Sequence, residues 1–233
     1  VHYCEMSPSQ KEQYEKVKSS FRNEMLLSIE HKGLGGSQML LLQGLTKLRQ
    51  IANHPKMVDE TYEGDSGKMD DVLHMAQSAL SNGHKILIFS QFVKHLTLFR
   101  KIFDEQKLTY AYLDGATKDR QQQVEYFQNN EEVKVFLISL KAGGVGLNLT
   151  AADYVFLLDP WWNPAVEAQA VDRAYRIGQK NTVFTYKFIT QNTVEEKILH
   201  LQINKKKLAN DLITTEESFV KNLSKDDIFS IFE

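Results

Sequence analysis

Three nearly unbroken apolar runs constrain this chain more than any other feature: Lys85–Phe92 (KILIFSQF), Val133–Leu140 (VKVFLISL) and Tyr154–Leu158 (YVFLL). A strand with one wet face alternates apolar and polar residues. A continuous run is dry on both faces, as in a parallel sheet covered by helices. Thr109–Leu113 and Thr182–Ile189 read as further strands. Amphipathic stretches separate them: Val93, Leu96, Phe99 and Ile102 mark one helix, and Val124 and Phe127 another that Asp119 opens. Pro164–Ile177 and Val194–Leu212 are predicted helices as well. The alternation predicts an α/β fold, a doubly wound parallel sheet.

The first part of the chain has a different character. Ser9–Leu27 carries Tyr14, Val17, Phe21 and Met25 at helical spacing; a glycine-rich break follows at Gly33, Gly35 and Gly36; Met39–Ile51 resumes the helical pattern until His54-Pro55 ends it. Glu60–Lys68 is a polar linker. The predicted organisation is a small helical segment over 1–66, an α/β domain over 67–204 and a helical tail over 205–233. Two helix starts are well marked. Asn163-Pro164 sets a capping side chain before a proline, and Thr193 with Glu196 forms a capping box.

Several function classes drop out. Cys4 is the only cysteine, so the chain has no internal disulfide and no paired-cysteine metal site, and the histidines show no metal-binding spacing. A reducing, intracellular setting is expected. No apolar run reaches the roughly 18 residues that span a membrane, and no leader is visible. The chain begins at Val1 and reads as a piece of a longer protein. A net charge of −2 argues neither for nor against nucleic acid, because a phosphate-binding groove needs only a local basic cluster.

In open parallel sheets, ligands gather at the carboxyl ends of the strands, and the informative residues fall there. The run VFLISL leads into Lys141-Ala142-Gly143-Gly144-Val145-Gly146-Leu147-Asn148. Its glycines let backbone amides converge on an anion, although a bare GGxG serves equally as a tight turn. It is neither a Walker A loop nor a dinucleotide fingerprint. Asp159-Pro160-Trp161-Trp162-Asn163-Pro164 places adjacent tryptophans in a turn, where one can pack while the other lies at a surface open to a sugar–phosphate edge or a partner lobe; the bland alternative is that both plug the core. On the helix that follows, Val166, Ala170, Ala174 and Ile177 form an apolar stripe, and Gln169, Arg173 and Arg176 fall within about 60° of one another beside it. Two guanidiniums there point into a cleft, and arginine grips phosphate bidentately. The bland alternative, an Asp172–Arg176 pair, accounts for one arginine only. Ser90-Gln91 and Asp114-Gly115-Ala116-Thr117 end two other strands, and Lys205–Lys207 reads as a solvated helix face.

Taken in this order, the segments closely resemble the carboxy-terminal RecA-like lobe of the SWI2/SNF2 ATPases, most of all its bacterial members. ILIFSQF resembles helicase motif IV, YLDGAT the DNA-contacting turn after it, and SLKAGGVGLNLTAADYVFLLD motif V. DPWWNP resembles the family's extension of motif V, and QAVDRAYRIGQ motif VI. LRQIANHP and TVEEKILHLQINKKKL are also similar to family sequence.

The resemblance implies one motor lobe of an ATP-dependent double-stranded-DNA translocase. It gives Arg173 and Arg176 the role of arginine fingers on the ATP γ-phosphate, and places Gln169 and Gly146 at the nucleotide. Ser90, Gln91, Gly115, Thr117, Ser139, Lys141, Ala142, Gly143 and Asn148 match positions along DNA backbone, and Trp162 an exposed aromatic facing DNA. ATP and Mg²⁺ are the expected cofactors of the two-lobe protein. This lobe is expected to hold neither, since the P-loop and metal-binding acids belong to the missing amino-terminal lobe. Gly67-Lys68 lacks the context of a Walker lysine. Alone, the lobe is expected to be inactive. Expected partners are that lobe, double-stranded DNA and a protein target such as RNA polymerase, chromatin or another DNA-bound protein, with no membrane. The expected location is the cytoplasm or nucleoid of a bacterium, or the nucleus of a eukaryote. The competing reading is a doubly wound nucleotide- or protein-binding domain without motor activity.

Overall fold

The computed structural model describes residues 1–142, 146–205 and 216–232. Its centre is an all-parallel sheet of six strands: β1 (His2–Cys4), β2 (Ile86–Ser90), β3 (Tyr110–Leu113), β4 (Val135–Ser139), β5 (Tyr154–Leu157) and β6 (Phe184–Thr190). Their spatial order is β1-β6-β5-β2-β4-β3. β2 pairs in parallel with β4 from Ile86↔Val135 to Ser90↔Ser139, and with β5 from Ile86↔Tyr154 to Phe89↔Leu157. β3 pairs with β4 and β5 with β6 in the same sense.

Burial follows this order. Every residue of central β2 and β4 is buried, whereas edge strand β3 alternates half-buried and buried positions. The continuous apolar runs are therefore the inner strands. The short strand β1 was not expected; its three residues are too few to display a period.

The helices are α1 (Pro8–Asn53), α2 (Gly67–Ser81), α3 (Val93–Glu105), α4 (Arg120–Asn129), α5 (Pro164–Val171), α6 (Val194–Lys205), α7 (Glu216–Lys221) and α8 (Lys225–Phe232). The chain clusters into two compact units. One comprises Val1–His2, Asp70–Trp161 and Ala165–Phe188; the other comprises Tyr3–Met69, Trp162–Pro164 and Ile189–Glu233.

In the first unit Phe89, Phe127, Phe136, Ile138 and Val155 share one core. Lys85 runs over the Phe127 ring and its Nζ donates to the carbonyls of Phe127 and Asn130 at 2.6 and 2.8 Å, satisfying the end of α4.

In the second unit, α1 is two helical arms joined at Gly33, where φ is +68°. The expected break is thus one residue, and Gly35 and Gly36 remain helical. The arms pair symmetrically about that point. Ser28 and Ser37 share a hydrogen bond of 2.8 Å, and a Cβ on Gly44 would meet the Phe21 ring at 2.9 Å. A capping box of Ser7 and Gln10 starts α1. At α6 the capping box is shifted: Glu196 accepts from the amide of Asn192 at 2.8 Å, and Thr193 Oγ1 from that of Glu195 at 3.2 Å.

Gly67-Lys68 has a structural role. Lys68 is fully buried, its Nζ 2.5 Å from Glu195 Oε2 and 3.0 Å from Asn53 Oδ1. The same carboxylate oxygen accepts the Thr190 amide at 3.0 Å. The predicted triple-lysine face at 205–207 falls outside the residues whose side chains are described.

Candidate functional site

The carboxyl ends of β2, β4 and β5 lie side by side because the strands are parallel and in register. Ladder bonds persist past them, from Leu140 N to Ser90 O at 2.9 Å and from Leu158 N to Phe89 O at 3.0 Å. At this edge Ser90 Oγ donates to Asp159 Oδ1 at 2.6 Å, and the Gln91 amide donates to Asp159 Oδ2 at 2.9 Å. Ser90 and Ser139 are buried register partners, and Ala142 is buried too. These side chains, expected along DNA, are enclosed and set the shape of the edge. Gln91 differs: its Nε2 is buried and lacks a hydrogen-bond partner among the described residues. An unmet donor costs free energy comparable to a lost hydrogen bond unless a ligand supplies the acceptor.

The turn after β3 is built around Asp114. Its Oδ1 accepts from Ala116 N at 2.9 Å and Thr117 Oγ1 at 3.1 Å, and its Oδ2 from the Tyr112 hydroxyl at 2.8 Å. Burial alone would raise this carboxyl's pKa, but the hydrogen bonds outweigh it and hold the pKa below the usual value. The Thr117 hydroxyl also accepts the Asp114 amide at 2.9 Å, which leaves Gly115 as the exposed apex. Arg120, at the start of α4, donates through Nη1 to the Ala142 carbonyl at 3.2 Å and so braces the entry to the glycine turn. Lys141, Gly146 and Asn148 are exposed there. Gly146 has φ +104°, a backbone state that glycine alone adopts freely. Gly143 lies outside the described residues.

The arginine segment departs from expectation in one respect. α5 ends at Val171, and residues 172–178 form turns. Ile177, predicted on the buried stripe, is fully exposed, and the helical spacing that would pair Asp172 with Arg176 is lost. A tertiary hydrogen bond accompanies the early stop: the Leu149 amide donates to the Arg173 carbonyl at 3.0 Å, which ties the residue following Asn148 to the arginine segment.

Arg173 is 8% exposed. Its Nε donates to the Gln169 carbonyl at 3.3 Å, while its buried Nη1 has no partner among the described residues. Burial, reinforced by the charge of Arg176, lowers its pKa, yet a guanidinium stays protonated. Gln169 and Arg176 are exposed. A dry, cationic, partly unpaired group beside a second cation is suited to an anion.

Trp162 corrects the expectation of an exposed aromatic. It is 1% exposed, tilted against Phe219 at 4.6 Å between ring centroids, with the Arg49 guanidinium 4.3 Å from its ring. Burying so large a ring outweighs leaving it on a rim. Trp161 is the half-buried member of the pair; its amide donates to Glu167 Oε1 at 2.7 Å, and Lys187 Nζ pairs with Glu167 Oε2. Asp159, Arg120 and Glu167 carry no sequence signal, since their partners Ser90, Ala142 and Lys187 lie 69, 22 and 20 residues away.

The family model for the helicase conserved C-terminal domain matches residues 67–178. An uncharacterized ATP-dependent helicase of Mycoplasma pneumoniae is 37% identical over 99% of this chain and 22% of its own length. Protein CHROMATIN REMODELING 8 of Arabidopsis thaliana is 32% identical over 98% of this chain and 20% of its own. The chain therefore spans about a fifth of these relatives. The Sulfolobus solfataricus SWI2/SNF2 ATPase core in complex with dsDNA superposes with a TM-score of 0.81 at 34% identity, covering 99% of this chain and 49% of that one. The C-terminal domain of the same enzyme matches with a TM-score of 0.78 at 33% identity, over 99% of this chain and 96% of that domain. With strand order, motif sequence and relatives in agreement, the chain belongs to the SWI2/SNF2 family of ATPases and is its helicase C-terminal lobe.

Proposed function

We propose that this chain is the second motor lobe of an ATP-dependent double-stranded-DNA translocase acting inside the cell. Arg173 and Arg176 complete an ATP site whose phosphates and Mg²⁺ are held by a preceding lobe. The observation that carries this reading is the buried Arg173 guanidinium, whose Nη1 has no partner among the described residues and whose carbonyl accepts the Leu149 amide just after the glycine-rich segment. Among the described residues nothing accepts from this donor; a γ-phosphate oxygen would satisfy it.

Stabilising the charge of the transferring phosphoryl group is worth about 10³–10⁵ in rate when an arginine finger does it. Gln91, Gly115, Lys141 and Asn148 supply the DNA side, where contacts to phosphates position the duplex without reading its sequence. Alone, the lobe has no means to hold nucleotide phosphates and hydrolyses nothing.

The test is ATP hydrolysis by the two-lobe parent with and without duplex DNA. The Arg173→Ala, Arg176→Ala double variant should lose DNA-stimulated turnover by at least about 10³-fold and keep ATP binding. Turnover at the parental rate would refute the assignment.

A further inference from the structure

Asp159 ends the β5 run, is 1% exposed, and takes no part in the roles proposed above. Both of its carboxylate oxygens serve one neighbouring turn, Oδ1 accepting from Ser90 Oγ at 2.6 Å and Oδ2 from the Gln91 amide at 2.9 Å. Ser90 Oγ in turn accepts the Phe92 amide at 3.1 Å. The carboxylate thereby sets the backbone that presents Gln91, whose Nε2 is buried without a partner among the described residues.

In the other direction the chain passes from Asp159 to Trp161, whose amide is held by Glu167 of α5 at 2.7 Å. α5 carries Gln169, and the Gln169 carbonyl receives Arg173 Nε at 3.3 Å. The segment from Asp159 to Arg173 is thus anchored at its start to the turn that faces DNA, and its end is the cation assigned to ATP.

Neutral side chains would suffice if this link served only to close the sheet edge. A buried charge that accepts two hydrogen bonds is stiffer than a neutral pair, and displacing either donor is costly, since charge-assisted bonds are worth about twice neutral ones. A duplex that pulls on Gln91 therefore cannot move its turn without moving Asp159.

We propose that Asp159 is a positioning residue, an element through which DNA held at Gln91 bears on the placement of Arg173. The inference rests on the motor reading, and the experiment separates the two. In the two-lobe parent, Asp159→Asn keeps the side-chain shape, removes the charge and replaces one acceptor by a donor, which reverses the bond to the Ser90 hydroxyl or confronts the Gln91 amide. The expected result is a fall of about tenfold in DNA-stimulated kcat, in line with loss of one charged hydrogen bond. The basal rate, the KM for ATP and the affinity for duplex should stay within about twofold, the spread of a neutral surface change.

Ser90→Ala should lower the ratio of stimulated to basal turnover similarly, Ser90→Thr should restore it, and the double variant with Asp159→Asn should be no worse than either single one. Equal proportional loss of basal and stimulated rates would overturn the coupling role alone, as would additive effects of the two single changes. A parent whose turnover ignores DNA would overturn the motor reading and the coupling role with it.

Discussion

The amide of Leu149 donates to the carbonyl of Arg173 at 3.0 Å, so the segment that leaves the glycine turn and the segment that carries the arginines are held as one piece. Neither can shift alone without breaking a backbone hydrogen bond beneath the sheet edge.

Lysine should not replace Arg173. The guanidinium uses Nε on the Gln169 carbonyl and offers Nη1 elsewhere, two directions that a single ammonium cannot serve together. Arg173→Lys in the parent should cost about 10²–10³ in kcat, the range for loss of one transition-state donor, with KM for ATP little changed. Steady-state ATPase kinetics check this; a rate within threefold of the parent, roughly the noise of such substitutions, contradicts it.

Lys141 is exposed at the entry to the glycine turn and is proposed to neutralise a DNA phosphate. Lys141→Ala should weaken duplex binding by the parent equally across sequences and reduce the slope of log K against log salt by about 0.9. Titrations at several salt concentrations give the slope. An unchanged slope would remove Lys141 from the interface.

Trp162 should act through stability. The ring is enclosed between Arg49 and Phe219, so Trp162→Ala should destabilise the chain by about 3–5 kcal/mol, with Trp162→Phe costing less. Urea unfolding measures both. A loss below 1 kcal/mol, the level of ordinary surface changes, would mean the ring is not a core element.

His54 makes stability depend on pH. Its Nδ1 accepts the Lys56 amide at 3.1 Å, and burial, then the Lys56 charge, pushes its pKa down from 6.5 to about 4. The unfolded chain therefore takes up this proton first as pH falls. Stability conferred by neutral His54 is present above pH 6.5 and is lost towards pH 4. His54→Asn, which retains an acceptor for the turn, should lose less stability across that window. Parallel thermal melts would show it; identical slopes would argue against the assignment.

The inner strands were legible because burial on both faces leaves no polar position to interrupt the apolar run, as in β2 and β4. The fold class followed from those strands and the helices between them. The end of α5 was not legible. The sequence keeps helical spacing through Ile177, and only the bond from Leu149, far back along the chain, accompanies the stop at Val171. Asp159 is illegible for a similar reason: its partner Ser90 lies 69 residues away, and a lone acid after a strand has no pattern of its own. The motifs located the edge, but they did not tell enclosed members such as Ser90 and Trp162 from open ones such as Lys141.

The Lys68–Glu195 contact bears on where this protein can be cut. A truncation starting at residue 70 looks reasonable from the strand pattern, yet it removes the ammonium and the Asn53 amide oxygen that accompany a sealed carboxylate. An orphaned charge of this kind costs about 3–5 kcal/mol. The helical leader is thus a working portion of the lobe's stability, and shortened versions should keep it or replace Glu195 at the same time.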